Sequence, residues 1–391
     1  MGSPAQWLTT KIDRKKAKFG RWLRYNWLLW RKEREFRNDR NYNLNLVEKG
    51  FLDRRADAGD DKALLSRIIK AYKLAKESQH GVSPSYQVSN EWVPIYNHQL
   101  GEVMRALQSE DVVALGSIYE NFWRNSCSAG LIGLSLDMQK YFFSGSIKKL
   151  HKKIFLFDTL HRFNLWKSLL GNTHDVKALE SPSIGNPFGY FLDGHFIKAG
   201  SDYLHYYATL IERLTRRTGG RRVVVELGGG FGGMAYYLAR DNDNLTYLDF
   251  DLPENMALTA YYLLKAFPEK KTVLYGESDL STDCINSNDI ILMPNFELPK
   301  LPDNSADLIF NSYSLAEMSA EAIRNYIAEF TRIARQYLLH VNHTKQCLVG
   351  ADEFGINPEW FDLLYKVPAL WNAGRNPDTD EYEYLYKKID G

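Results

Sequence analysis

The glycines in RRVVVELGGGFGGMAYYLAR (221–240) constrain the fold more than any other feature of the sequence. Five of the six positions 228–233 are glycine. They follow an apolar run rich in valine, typical of a buried strand, and precede a segment with a helical pattern. Because glycine adopts positive φ and has no Cβ, the sequence predicts a tight strand-to-helix turn that lets a ligand approach the backbone.

Strand and helix patterns alternate along the chain after residue 201. The predicted strands are RRVVVEL, LTYLDFD, DIILMP, ADLIFNSYS and QYLLHVNH, with one or two more expected in 344–391. These strands are apolar without polar alternation, which indicates a parallel sheet buried on both faces. The predicted fold class is therefore α/β, a Rossmann-like parallel sheet with helices on both faces, preceded by a mainly helical N-terminal domain.

The 391 residues divide into four predicted regions. Residues 1–40 form a basic, aromatic, amphipathic arm, and residues 41–180 are mainly helical. Residues 181–200 are dense in Gly, Pro, Asn and Asp and are predicted to be a junction loop. Residues 201–391 form the sheet domain.

The arm carries most of the charge asymmetry of the chain. Residues 11–40 contain twelve Lys or Arg and four Asp or Glu, so 12 − 4 = +8, against a net charge of +1 for the whole protein. Its aromatic and apolar side chains fall at helical spacing: Phe19, Trp22, Leu23, Trp27 and Trp30. Such a helix suits peripheral contact with an anionic membrane surface, or it docks on the body of the protein.

Composition excludes several classes of function. A net charge of +1 argues against a nucleic-acid partner, and no run of 18 apolar residues is present that would span a membrane. The cysteines, Cys127, Cys284 and Cys347, lack metal-ligand spacing and indicate reduced thiols in the cytoplasm. No tight cluster of Asp, Glu and His predicts a metal. The predicted location is cytoplasmic, with the arm allowing contact with the inner membrane face.

The glycine run is preceded by a carboxylate, and this favours one ligand over another. Glu226 stands two residues before Gly228, and Gly230 and Gly232 complete an E-x-G-x-G-x-G pattern. Dinucleotide-binding loops instead place a pyrophosphate at the helix N-terminus. S-adenosylmethionine has an ammonium group and no phosphate, so an acid at this position favours it as the cofactor.

The ends of the following strands supply further candidates for the donor site. Asp251 lies 25 residues after Glu226, where a carboxylate can accept both ribose hydroxyls. We expect Asp251 rather than Asp249 to face the ligand, because it directly precedes a helix; the alternative is that it only caps that helix. Asn295 and Phe296 are predicted to contact adenine, or to form a plain turn. Asn311, at the end of the fourth strand, is expected beside the donor.

Six segments in this order resemble a family of sugar O-methyltransferases, a branch of the class I S-adenosylmethionine-dependent enzymes. They are IGNP (184–187), VVELGGGFGG (224–233), FDLPE (250–254), YYLLKAFP (261–268), LPDNSADLIFNSYSLAEM (301–318) and YLLHVN (337–342). The resemblance implies a Rossmann-like methyltransferase domain, S-adenosylmethionine as methyl donor, a saccharide hydroxyl as acceptor, and a role in polysaccharide biosynthesis. The first 180 residues lie outside it.

Methyl transfer to a sugar hydroxyl needs a group that removes the hydroxyl proton. Glu317 and His340 are the predicted bases, and Asn342 shares a strand face with His340. The alternatives are that Glu317 caps a helix and that His340 is a buried core residue. Predicted acceptor contacts come from the junction and from the fourth strand: Asn186, Tyr190, His195 and Tyr313. Turn chemistry accounts equally well for the junction residues.

Two other functions fit the same residues. One is methylation of a hydroxyl on a lipid or natural product, which an aromatic-rich arm would suit. The other is a non-catalytic scaffold that binds S-adenosylmethionine. A nucleic-acid methyltransferase is disfavoured because the strand ends lack an NPPY or DPPY tetrapeptide. The sequence does not predict the oligomeric state.

Overall fold

The computed structural model of the protein describes Trp27 and residues 30–55, 61–88, 92–132, 141–145, 147–216, 220–369 and 380–389. Of the aromatic stripe predicted in the arm, Trp27 and Trp30 are exposed over 55% and 54% of their surfaces. Phe19, Trp22 and Leu23 lie outside the described residues, so the docking of the arm stays a prediction. In the described chain, no helix combines the length and apolarity needed to cross a bilayer.

The described secondary structure of residues 41–180 is helical, with turns and irregular segments between the helices. Its described helices are α1 (Leu44–Gly50), α2 (Lys62–Gln79), α3 (Trp92–His98), α4 (Gly101–Gln108), α5 (Val112–Tyr119) and α6 (Lys149–Leu169). Short 3-10 helices lie between them at Pro84–Tyr86, Phe122–Arg124 and Ser126–Ser128, and one follows at Val176–Leu179. Helix α2 illustrates why these α-helices form. Its buried residues recur at the spacing of one helix face, so that one side of the helix can pack into the core: Leu65, Ile68, Ile69 and Tyr72.

The segment that we predicted as a junction loop contains a two-stranded hairpin instead. Strands β1 (Gly189–Leu192) and β2 (His195–Lys198) pair antiparallel. Asp193 and Gly194 connect them with φ of 50° and 86°. Two consecutive residues with positive φ are characteristic of a type I′ turn, for which Asp-Gly is a preferred pair.

The main sheet has eight described strands. They are β3 (Arg222–Leu227), β4 (Leu245–Asp251), β5 (Thr272–Leu274), β6 (Ile290–Pro294), β7 (Ala306–Ser312), β8 (Ala334–His343), β9 (Phe361–Pro368) and β10 (Glu381–Lys388). Their order is β5-β6-β4-β3-β7-β8-β10-β9. Strands β3 to β8 pair in parallel, and the two strands of the C-terminal tail are antiparallel.

Helices cover both faces of this sheet. They are α7 (Ser201–Thr215), α8 (Gly233–Arg240), α9 (Pro253–Ala266), α10 (Thr282–Ser287) and α11 (Ala320–Ile333), with 3-10 helices at Asn295–Lys300, Ser314–Glu317 and Ala351–Glu353. Buried side chains of α7, α8 and α9 share a core with one sheet face, and those of α10 and α11 share a core with the other. The predicted Rossmann-like α/β fold is confirmed.

The core on the α7–α9 face continues into the N-terminal helices. Tyr72 of α2 and Tyr119 of α5 belong to the same cluster of buried residues as Tyr247 of β4. Helix α2 also contacts α9 directly, since the Tyr72 hydroxyl donates to Glu254 Oε1 at 3.1 Å. The N-terminal region and the sheet therefore share one hydrophobic core on this side.

The strand order reverses beside β3. From β3 the chain moves outward through β4 and β6, and it later returns to place β7 on the other side of β3. In doubly wound sheets, ligands bind beyond the carboxyl ends of the strands at such a reversal. The glycine run follows the carboxyl end of β3 and lies at this position.

Candidate functional site

The glycine run is conformationally required at its first positions. Gly228 has φ of +81°, and a Cβ on it would lie 2.6 Å from Ser314 Oγ. A Cβ on Gly229 would lie 2.6 Å from Asp249 Oδ1. Any larger residue would therefore push the turn away from the ends of β4 and β7. Gly230 also lines the cavity described below, whereas Gly232 is the N-cap of α8 and does not.

Glu226 is a buried carboxyl group near the carboxyl end of β3. It is 3% exposed, and its Oε2 accepts a hydrogen bond from the Tyr247 hydroxyl at 2.5 Å. Burial raises the pKa of Glu226 to about 8, partly offset by the Tyr247 hydrogen bond. A cation placed beside this group would favour its ionised form, so the position suits an ammonium group.

Asp251 ends β4 and connects it to the glycine run. Its Oδ2 accepts from the Gly230 N–H at 3.1 Å, and its Oδ1 accepts from the Leu252 N–H at 2.7 Å and from Asn255 Nδ2 at 3.0 Å. Burial raises the pKa of Asp251 to about 6 against these hydrogen bonds. Asp249 is fully buried and accepts from the Gly229 N–H at 3.0 Å. Of the two, Asp251 lines the cavity.

A cavity of about 690 Å³ lies over these strand ends. Its volume falls within the range of about 300–1,000 Å³ typical of small-molecule sites. Glu226, Asp251 and the glycine run form one part of its lining, and residues that follow β7 and β8 form another. The N-terminal region lines it too, through Ser85, Trp92, Trp123, Leu131 and Arg162. Both parts of the chain therefore build one site.

The end of β6 contributes Asn295 to the cavity and turns Phe296 away from it. Asn295 Nδ2 donates to the Tyr86 carbonyl and to the Tyr326 hydroxyl, both at 3.0 Å. Asn295 Oδ1 is buried and has no hydrogen-bond partner among the described residues. Phe296 is also buried, but it packs edge-on against Tyr275, with ring centroids 5.9 Å apart, and does not line the cavity.

Asn311, Asn342 and His340 lie beneath the cavity and do not line it. All three are fully buried. Asn342 Nδ2 donates to Asn311 Oδ1 at 2.9 Å, and Asn311 Nδ2 donates to the Leu227 carbonyl at 3.0 Å. His340 stacks on Tyr384 with centroids 4.5 Å apart, and burial lowers its pKa to about 3. The asparagines support the ends of β3 and β7, and His340 is a neutral ring packed against β10.

Glu317 and Tyr313 do line the cavity. Glu317 Oε2 accepts from Trp92 Nε1 at 2.6 Å, which links the loop after β7 to helix α3. Tyr313 has φ of +67°, and its hydroxyl donates to Glu381 Oε2 at 2.9 Å. The structure thus places a carboxylate and a tyrosine ring from the loop after β7 in the lining of the cavity.

The predicted contacts from residues 181–200 lie elsewhere. Asn186 Oδ1 accepts from the Arg54 N–H at 2.7 Å, the Tyr190 hydroxyl donates to the Asn41 carbonyl at 2.6 Å, and His195 Nδ1 lies 2.7 Å from Glu180 Oε1. None of these three lines the cavity. They attach the hairpin to the N-terminal region, which is a structural use of the same polar side chains.

Arg162 from α6 and Glu381 at the start of β10 also line the cavity and were not among the predicted site residues, and His343 at the end of β8 lines it as well. Arg162 Nε lies 3.1 Å from Asp158 Oδ2. Sequence patterns give no signal for Arg162, since it is one of several basic residues on a long helix. In the described part of the chain, no three His, Cys, Asp or Glu residues form a metal-binding group.

No protein-family model and no curated protein sequence matches the chain. Solved structures align with it at low similarity. A SAM-dependent methyltransferase from Aquifex aeolicus is 16% identical, with 46% of this chain and 88% of that chain covered and a TM-score of 0.32. The N-methyltransferase NodS from Bradyrhizobium japonicum, in complex with S-adenosyl-L-homocysteine, is 14% identical, with 47% and 86% covered and a TM-score of 0.34.

The [4+2]-cyclase SpnF is 15% identical, with 61% of this chain and 96% of that chain covered and a TM-score of 0.34. Similarity of this size identifies neither a family nor a substrate. The resemblance to sugar O-methyltransferases therefore stays a prediction, and the functional proposal depends on the geometry of the cavity.

Proposed function

We propose that the protein is an S-adenosylmethionine-dependent methyltransferase whose acceptor is a hydroxyl group of a sugar or glycan. The observation that carries the proposal is the pair of buried carboxyl groups, Glu226 and Asp251, that line one cavity on either side of the glycine run. They end neighbouring parallel strands at the reversal of strand order, where doubly wound sheets bind nucleotides.

The residues present fit the donor at three points. Asp251 faces the cavity with both oxygens held by the Gly230 and Leu252 N–H groups and by Asn255. A carboxylate has about four lone-pair sites, and these three hydrogen bonds leave one of them, on Oδ2, to accept from a ribose hydroxyl.

Glu226 and Asn295 would hold the two ends of the donor. Burial raises the pKa of Glu226, and a positively charged partner such as the donor's ammonium group would counter this by favouring the ionised form. Asn295 Oδ1, a buried acceptor with no partner in the described chain, matches the exocyclic amino group of adenine. When bound, S-adenosylmethionine supplies an electrophilic methyl group.

The part of the cavity lining that lies outside the glycine run and its carboxyl groups suits a polyhydroxylated acceptor. Trp92, Tyr203 and Tyr313 supply ring faces and polar edges, while Glu317 and Glu381 supply acceptors for hydroxyl groups. Sugars combine an apolar ring face with a rim of hydroxyls, and such amphipathic aromatic and acidic linings match both. This supports the sugar hydroxyl that the family resemblance implies.

The protein's part in the chemistry would be to position the acceptor and to take its proton. Orienting two reactants is worth about 7–11 kcal/mol of the barrier. The N-terminal region forms part of the cavity wall through Trp123 and Leu131. This wall limits the access of water, which would compete with the acceptor for the methyl group. In the part of the cavity lining that we propose for the acceptor, Glu317, Glu381 and His343 are the groups that can accept a proton.

Calorimetry and a transfer assay test the proposal in sequence. Titration with S-adenosylmethionine should show one site per chain, and S-adenosylhomocysteine should compete for it. Radiolabelled donor is then incubated with the protein and a panel of saccharide, lipid and flavonoid acceptors. Label in a saccharide supports the proposal. Label only in a lipid or flavonoid overturns the acceptor class, and absence of donor binding overturns the whole assignment.

A further inference from the structure

His343 is the last residue of β8, one residue beyond the strand positions predicted to carry the base. Side chains alternate along a strand, so His343 lies on the opposite face of β8 from His340 and Asn342. It lines the cavity with 29% of its side chain exposed, and its ring lies 5.3 Å from the Tyr313 ring. The His343 imidazole therefore borders the part of the cavity that we propose for the acceptor.

A buried carboxylate fixes this imidazole. Asp380, directly before β10, is 7% exposed, and its Oδ2 lies 3.0 Å from His343 Nδ1. Its Oδ1 accepts from the Lys345 N–H at 2.6 Å and from the Thr344 N–H at 3.1 Å. Burial opposes ionisation, but the Lys345 and His343 hydrogen bonds outweigh it and lower the pKa of Asp380.

An ionised carboxylate accepts hydrogen bonds and donates none. His343 must therefore carry its proton on Nδ1 to bond with Asp380, and the lone pair of the neutral ring lies on Nε2. A histidine oriented in this way by an acid is equipped to accept a proton and to be stabilised as imidazolium afterwards. Glu317, the predicted base that lines the same cavity, accepts a hydrogen bond from the Trp92 indole N–H through its Oε2.

We propose that His343, oriented by Asp380, is the catalytic base of this site, which deepens and rests on the proposed methyl transfer. Nε2 takes the proton of the acceptor hydroxyl as the hydroxyl oxygen forms its bond to the methyl carbon. The carbon–sulfur bond breaks with its electron pair on sulfur, which leaves a neutral thioether. The proton leaves the imidazolium for solvent once the product has departed.

Kinetics on the full-length chain test the role of each partner. His343→Asn should lower kcat by about 10²–10⁴-fold, the usual contribution of a positioned base, with the Kd for S-adenosylmethionine changed less than twofold. Asp380→Asn should lower kcat by about tenfold or more, because an amide can donate to Nδ1 and so favours the wrong tautomer. Added imidazole should raise the activity of His343→Ala, an effect that a structural role would not produce.

His195→Asn is the matched comparison. Its imidazole is 30% exposed and lies beside a carboxylate, Glu180, but outside the cavity. A loss in kcat as large as that of His343→Asn would overturn the proposal. So would a Glu317→Gln variant that loses kcat while His343→Asn keeps it.

Nitrogen-15 NMR of the ligand-free protein gives a readout that needs no acceptor. At alkaline pH, where the imidazole is neutral, the His343 ring should show a protonated Nδ1 and an unprotonated Nε2, and Asp380→Asn should disturb this pattern. A proton found on Nε2 overturns the role of His343 without touching the donor site. Failure of the wild-type protein to bind S-adenosylmethionine overturns the proposed function without changing the tautomer, so the two failures are distinguishable.

Discussion

The Glu226 carboxyl group and the Tyr247 hydroxyl are joined by a hydrogen bond of 2.5 Å inside the cavity wall. Because Glu226 is buried, its pKa is raised from 4.5 to about 8, so the folded protein holds it protonated at neutral pH. A group that binding requires as an anion is thus kept neutral until its ligand arrives. Stability and donor affinity should therefore respond in opposite directions to changes at this residue.

Glu226→Gln should make the ligand-free protein more stable and the donor bind more weakly. An acid with a raised folded pKa stabilises the fold at low pH, and this contribution is lost as the pH rises from 4.5 towards 8. The amide avoids that loss, so the gain in unfolding free energy should grow between pH 5 and pH 8 to about 1–3 kcal/mol. Urea denaturation at both values measures it, and a gain that is larger at pH 5 would contradict the assignment.

Donor binding should release a proton from Glu226 near pH 7. The ammonium group favours the anion, so the pKa of about 8 falls on binding and the affinity rises with pH between 6 and 8, by at most about tenfold per unit. Calorimetry in phosphate and in Tris, which differ in ionisation enthalpy, counts the proton. Glu226→Gln is the control and should show no buffer dependence, whereas proton uptake by the wild type would refute the prediction.

Asp251→Asn should weaken donor binding by about 10- to 100-fold, since hydrogen bonds to a charged group are worth about 1.5–3 kcal/mol. The amide keeps the shape of the side chain and an oxygen for the Gly230 or Leu252 N–H. Calorimetry measures the Kd, and the Tm shows whether the fold is retained. Asp243→Asn, at an exposed position of the same chain, should bind like the wild type. Equal Kd values for the two variants would remove Asp251 from the donor site.

Gly228→Ala should cost more stability than a positive φ alone explains. Gly355 has φ of +73° and open space around its Cβ position, so Gly355→Ala reports backbone strain of about 1–2 kcal/mol. Gly228 has φ of +81° and the added contact with Ser314 Oγ at 2.6 Å, which should add about 1–3 kcal/mol. Urea denaturation of both variants separates the effect of backbone strain from that of the contact with Ser314. Equal losses of unfolding free energy in the two variants would show that Ser314 moves aside freely.

The parallel strands were predictable because their apolar runs are long and are punctuated by glycine, proline and acidic residues. Strand β5 was missed, since its three residues, Thr272–Leu274, are too few to show a period. The hairpin has a sequence signal in the Asp193–Gly194 pair, which stands between GYFL and HFIK, two segments rich in aromatic and apolar residues.

The position of Glu226 and Asp251 in one cavity was predictable, because the ends of parallel strands meet at one edge of a sheet. The surroundings of His340 and His343 were not predictable, because they depend on contacts with the C-terminal tail. Alternation correctly puts His340 and Asn342 on one face of β8, but it cannot show that Tyr384 of β10 covers the His340 ring. The partner of His343 comes from 37 residues further along the chain, a distance that no local pattern spans.

The single hydrophobic core that joins α2, α5 and the α7–α9 face of the sheet has a consequence for engineering. Exchanging the first 180 residues for those of another protein would leave the apolar surface of α9 facing side chains that do not complement it. Chimaeras cut at the hairpin should therefore precipitate rather than acquire a new acceptor preference. A change of acceptor preference should therefore be sought through point substitutions of residues that line the cavity.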